Sequence, residues 1–216
     1  MPKIAGRDRR TELLEAARDL IFTEGATRFT IRRLADRVQV SEAAVYRHFN
    51  NKEALLLALL DQLFQGWSDG LDLILESPRS AADRLLQLAD FHLDYLLIRQ
   101  FNPILLLSDA TDPDQKSLLR KLQGIAAHLY TSITRVIGSG KTSGEFDPGL
   151  EVEVAGFAVL GAIQSTALQW SLTHEKKQLR PRLLKVLAYL TRCFQSRASQ
   201  PAVRPTRSPA KRRKVT

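Results

Sequence analysis

The chain has 216 residues, 44% hydrophobic and 25% charged, with a net charge of +9 and one cysteine. That length and composition fit an ordinary soluble globular protein of one sizeable domain or two small ones. The lone Cys193 excludes internal disulfides, no apolar run reaches the ~18–20 residues that span a bilayer, and MPKIAGRDRR has no apolar stretch of a secretory signal, so a cytoplasmic protein without membrane contact is expected.

Proline and glycine are sparse within long amphipathic stretches, and β-branched alternation is almost absent, so the chain reads as all-α. In the first helix Leu13, Ala16, Ala17, Leu20 and Ile21 fall on one face, and Gly25 is placed to end it. Thr30 caps a short second helix whose apolar side is Ile31, Leu34, Ala35 and Val38. Ser41 then caps a third helix over about residues 42–48, and Asn50 or Asn51 opens a fourth that runs to about Glu76. Further helices are predicted at about 80–100, 103–109, 114–138, 149–173 and 178–197. Residues 198–216, rich in Pro, Ser and Arg, have little to bury and are expected to be disordered. The predicted division is a first helical unit over 1–54, a larger helical unit over 55–197, and a basic tail over 198–216.

Charge is concentrated at the ends. Residues 1–54 carry a net +3, the tail +6, and the body between them sums to zero. Basic ends favour a polyanionic partner such as nucleic acid. Two short helices joined by a tight turn, the second starting at a Ser cap, have the layout of a helix-turn-helix that places its second helix in the major groove. Arg32, Arg33 and Arg37 surround the first of these helices, while Tyr46, His48 and Lys52 lie at the far end of the second, all with phosphate-contact chemistry. Ser41, Glu42, Ala44 and Arg47 form the candidate base-reading face, Arg47 being able to donate two hydrogen bonds to guanine. Composition and periodicity alone leave open a three-helix core whose basic residues only keep it soluble.

The stretch TIRRLADRVQVSEAAVYRHFNNKEALLLALL resembles the N-terminal DNA-binding domain of the TetR family of transcriptional regulators, through Gly25, Thr30, Leu34, Ala35, Val40, Ser41, Val45, Tyr46, His48, Phe49, Lys52, Glu53 and Leu55. The resemblance implies phosphate contacts at Thr30, Tyr46, His48 and Lys52, and a core plug at Phe49. It departs at Gln39, where the family usually has Gly; a non-Gly residue there costs ~1 kcal/mol if φ is positive. Ala43 and Ala44 stand where the family often has a Gly and a hydroxyl residue.

The resemblance further implies a C-terminal helical bundle for dimerisation and ligand binding. AGFAVLGAIQSTALQW combines small and large apolar residues, and with the last helix it makes residues 149–197 the expected homodimer surface on a palindromic DNA operator. Polar residues within apolar stretches, His92, Tyr95, Asn102, Gln123, His128 and Gln164, are candidate ligand contacts, with Trp67, Phe91, Phe101 and Trp170 as walls. They suit a small, mostly apolar effector. GSGKTSG at 138–144 lacks the upstream glycine of a phosphate loop and is read as a loop, DATDPD lacks calcium-loop spacing, and no catalytic or metal-ligand set or cofactor motif stands out, so a non-enzyme is expected. VSEAAVYRHF is also similar to nucleoid-occlusion members of the family, which leaves a second expectation: a DNA-bound interaction protein acting on a protein partner.

Overall fold

The structure, a computed structural model, describes residues 8–111 and 115–195. The basic tail at 198–216 and the middle of the DATDPD segment (112–114) lie outside the described residues.

Helix α1 (Arg9–Glu24) starts at Asp8, whose carboxylate accepts from the Arg10 amide, and ends at Gly25 with φ 85°. Helices α2 (Ile31–Arg37) and α3 (Glu42–Tyr46) follow with the caps the sequence predicts: Thr30 Oγ1 accepts from Arg33 N, and Ser41 Oγ from Ala44 N, both at 3.2 Å. Helix α4 (Lys52–Leu63) opens at Asn51, whose side chain accepts from Ala54 N at 2.7 Å. Leu13, Ala17, Ile21, Leu34, Val45 and Leu55 from these four helices, with Phe49 between α3 and α4, are sealed in one apolar core, which Phe101, Leu106 and Leu118 from the body complete. Phe49 thus plugs the core beneath α3, as the resemblance implies.

The expected fourth helix to Glu76 is two helices. Gly66 adopts φ 75°, a left-handed conformation that side chains disfavour, and α5 (Trp67–Leu75) departs from it. Helix α6 (Ala81–Arg99) begins where the Glu145 carboxylate accepts from Ala81 N and Ala82 N at 2.6 and 2.8 Å. A short 3₁₀ turn (Pro103–Leu106) leads into α7 (Leu107–Ala110), and α8 (Lys116–Thr142), α9 (Val152–Thr173) and α10 (Leu179–Phe194) complete the bundle.

The GSGKT segment is the last turn of α8 rather than a loop. Its glycines look like loop punctuation, but Gly140 is buried, and a methyl group there would stand 2.4 Å from the Phe146 ring and 2.8 Å from Ala81 Cβ. Packing, not chain reversal, calls for glycine. No β-strand occurs among the described residues; an isolated antiparallel bridge pairs Phe146 with Gln195.

One helix among the described residues, α9, is long and apolar enough to cross a membrane by length and composition, which the residue-by-residue reading missed because Gln164, Ser165 and Gln169 interrupt its apolar run. One side of α9 packs inward through Ala155, Val159, Ile163, Ala167 and Trp170. Gly156 serves that contact: a methyl group there would stand 2.7 Å from Thr134 of α8.

Candidate nucleic-acid interface and effector cavity

Helix α3 sits on the surface with only Val45 of its five residues buried. Ser41, Glu42, Tyr46, Arg47 and His48 are exposed and Ala44 is half-buried, so the base-reading residues predicted from the sequence share an accessible face. Tyr46 keeps 46% of its surface exposed, an unusual position for a large aromatic that no core requires. The turn before α3 places Gln39 at φ 56°, so the strain expected for a non-Gly residue is present.

Thr30 and Ser41 spend a lone pair on helix caps, which leaves their hydroxyl protons available to a phosphate. Arg32 is exposed, whereas Arg33 is drawn to Glu24 at the end of α1. Lys52 is committed more firmly. Its ammonium pairs with Asp109 of α7, a carboxylate whose side chain is only 10% exposed, and lies 5.7 Å from the Phe29 ring centroid. The adjacent Glu53 carboxylate accepts from Ser117 N and Leu118 N at 2.8 and 3.0 Å, capping the start of α8. The first turn of α4 is therefore fastened to α7 and α8. Neither Asp109 nor the cap at Glu53 was legible beforehand, because both join residues 57 or more apart with no local spacing to mark them.

Behind α7 lies a cavity of about 170 Å³, with Pro103, Ile104 and Leu107 on one wall and Leu122, Ile125, Ala126 and Leu129 of α8 on another. Those α8 positions recur at helical spacing, the signal that could have found them. Three predicted ligand residues, His92, Asn102 and Gln164, line this space. The others lie outside its lining. Trp67 is buried with its indole N–H donating to His92 Nδ1 at 3.2 Å, and His128 packs on the other side of Trp67 with ring centroids 5.5 Å apart. Tyr95 is anchored by its hydroxyl to the Gln65 carbonyl and stacked under Arg99 at 3.5 Å, with Phe91 beside it. Burial raises the Tyr95 pKa, the nearby Arg99 opposing the shift and Asp69 adding to it. Trp170 is fully buried against Phe22 of α1, with ring centroids 5.6 Å apart; Gln123 is exposed and Phe101 belongs to the first core.

His92 is almost wholly buried, and loss of hydration pushes its pKa down to about 4. The ring is neutral at pH 7. Because the Trp67 indole can only donate, Nδ1 must accept, and the ring proton sits on Nε2.

An exposed, capped two-helix unit over its own core, joined to a helical bundle with a cavity, defines a helix-turn-helix DNA-binding regulator. Residues 13–59 match the model of the bacterial regulatory proteins of the tetR family. The chain is 31% identical over 136 residues to the nucleoid occlusion factor SlmA of Marinobacter nauticus, covering 62% of this chain and 68% of that one. It is 21% identical over 173 residues to the fatty acid metabolism regulator protein of Bacillus subtilis, covering 80% and 89%. The solved structure of the Bacillus subtilis regulator FadR in complex with stearoyl-CoA has the same fold, with a TM-score of 0.66 at 21% identity over 84% of this chain and 97% of that one. The chain belongs to the TetR family and is a DNA-binding transcriptional regulator.

Proposed function

We propose that the protein is a homodimeric repressor that acts in the cytoplasm, holds a roughly palindromic operator, and releases it when a small, mostly apolar molecule enters the cavity. One observation carries the reading: α7 serves both sites. Leu107 lines the cavity, and Asp109, two residues on, holds Lys52 at the start of α4. A ligand that displaces α7 therefore acts on the helix that follows the recognition helix.

The dimer rests on a stripe along the outer side of α9. Val154, Phe157, Leu168 and Leu172 are exposed there, with Gly161 between them, and Val186 and Tyr189 of α10 are also exposed. A methyl group at Gly161 would meet nothing in the monomer. Such a face, apolar with a small residue at its middle, suits close helix packing about a two-fold axis, as a palindromic site requires. The solved FadR structure contains stearoyl-CoA, a molecule bound by one protein of the same fold.

The second reading, a DNA-bound interaction protein, has support in the 31% identity to a nucleoid occlusion factor and in two exposed apolar side chains, Leu73 and Ile98. Sequencing genomic fragments bound by the full chain at near-physiological salt separates the two. A few palindromic sites beside promoters support the repressor; many sites scattered over the chromosome sink it in favour of the interaction protein.

A further inference from the structure

The repressor reading leaves open what kind of molecule fills the cavity, and the lining answers much of that. Its walls are aliphatic, and the polar side chains among them, His92, Asn102 and Gln164, are all uncharged at neutral pH. Among the described residues no cation stands in the lining to offset an anionic ligand, and no carboxylate to offset a cationic one. Bringing an unpaired charge into such a wall costs far more than its contacts return.

The polar groups are not equivalent. Asn102 is largely committed: its Oδ1 accepts from Ile104 N at 3.2 Å, and its Nδ2 donates to Ser171 Oγ at 2.9 Å. The Gln164 amide has no partner among the described residues. His92 is the best-defined group. Trp67 fixes its tautomer and its ring plane, and the Nε2–H has no acceptor among the described residues. The ring is thus a pre-oriented, neutral hydrogen-bond donor in an apolar wall, a demand that an acceptor on the ligand meets. Size narrows the class further. An apolar cavity of ~150 Å³ holds one benzene ring, so about 170 Å³ accommodates one ring and a short substituent. An eighteen-carbon acyl chain has three times as many carbons as that ring.

From this geometry we infer that the cavity takes a compact, uncharged compound about one ring in size, with a carbonyl or ether oxygen that accepts a hydrogen bond from His92 Nε2–H. The inference rests on the repressor reading only for its consequence on DNA; binding is measured separately.

The test is calorimetric titration of the full chain with four probes: acetophenone, ethylbenzene, benzoate and stearoyl-CoA. Acetophenone and ethylbenzene share shape and differ in the acceptor, benzoate adds a charge, and stearoyl-CoA adds length and charge. Acetophenone is expected to bind about tenfold more tightly than ethylbenzene, the effect of one hydrogen bond to a buried donor, with no binding of benzoate or stearoyl-CoA. His92→Phe should bring acetophenone down to the affinity of ethylbenzene. Because that change also strips Trp67 of its acceptor, Ala126→Phe provides a second variant: it adds bulk at an accessible wall position and should abolish binding of both neutral probes. Equal affinity of acetophenone and ethylbenzene, binding of benzoate or stearoyl-CoA in place of the neutral ring, or no binding by any probe overturns the inference. Binding with the expected pattern but without release of a recovered operator fragment upholds the ligand chemistry and overturns ligand-driven release.

Discussion

Lys52 of α4 and Asp109 of α7 form an ion pair between residues 57 positions apart, and it joins a predicted phosphate contact to a helix that borders the cavity. The lysine keeps 29% of its side-chain surface and the aspartate 10%, so the pair lies at the edge of the core, where its net contribution to stability is small. Its importance lies in occupancy. An ammonium held by a carboxylate is less available to a DNA phosphate, so Asp109 and DNA compete for one cation.

Asp109→Asn should therefore tighten binding to all DNA sequences alike and steepen the salt dependence by about one phosphate contact, a slope change near −0.9 in log K against log salt. Lys52→Ala should weaken binding to all sequences, and in that background Asp109→Asn should have no further effect. Filter binding at several salt concentrations measures all four proteins. An Asp109→Asn effect that survives Lys52→Ala would show that the aspartate acts through something other than Lys52.

On the recognition helix, Arg47 and Tyr46 should separate by kind of effect. Arg47→Ala should relax preference at one base position by about 1–3 kcal/mol, while Tyr46→Ala should weaken binding to every sequence. Selection of bound sequences from a random pool reads both. An unchanged preference for Arg47→Ala would remove it from the base-reading face.

The DNA-binding half was largely legible in the sequence because its determinants are local. Thr30, Ser41 and Asn51 each act on the amide three residues on, and the buried positions of α1 and α2 repeat at helical spacing. The body was less legible because its decisive contacts are remote. Glu145 caps α6 from beyond the end of α8, and Glu53 caps α8 from α4. His92, His128 and Tyr95 look alike in sequence, yet His92 lines the cavity and the other two do not. Gly66 fell inside the expected fourth helix and Gly140 inside an expected loop for the same reason: a glycine's letter does not tell whether it serves backbone conformation, as at Gly66, or lack of a side chain, as at Gly140.

Gln39 should be a site of easy stabilisation. Holding a non-Gly residue in the left-handed region costs about 1–2 kcal/mol, and Gln39 is held there at φ 56°. Glycine gives back roughly 0.5–1 kcal/mol through its freer unfolded chain, so Gln39→Gly should gain about 0.5–1 kcal/mol. Urea unfolding monitored by circular dichroism gives the difference, and a loss of stability would mean that the glutamine side chain makes up more than the strain costs.

Gly140 should respond in the opposite sense. A methyl group at 2.4 Å from the Phe146 ring and 2.8 Å from Ala81 cannot be absorbed without moving α6 or the segment that follows α8. Gly140→Ala should destabilise by about 1–3 kcal/mol despite the better helix propensity of alanine. Gly124, on the exposed side of the same helix with nothing near it, provides the control: Gly124→Ala should stabilise by up to ~1 kcal/mol. Equal effects at the two positions would show that packing at Gly140 is not the constraint.

His92 gives the protein a pH dependence of defined sign. The folded state keeps the ring neutral down to about pH 4, whereas the unfolded chain binds the proton near its ordinary pKa of 6.5. Between those values the unfolded state holds more protons, so stability falls as pH falls, and the contribution is fully present only above about pH 6.5. From pH 7 to 5.5 the loss attributable to His92 is about 1 kcal/mol, in a range where ordinary carboxylates remain ionised. His92→Gln, which offers the Trp67 indole a neutral acceptor, should flatten the stability curve over that range whatever it does to stability at pH 7. Urea midpoints at pH 7, 6.25 and 5.5 for both proteins test this, and parallel slopes would mean that the histidine takes up its proton in the folded protein as readily as in the unfolded one.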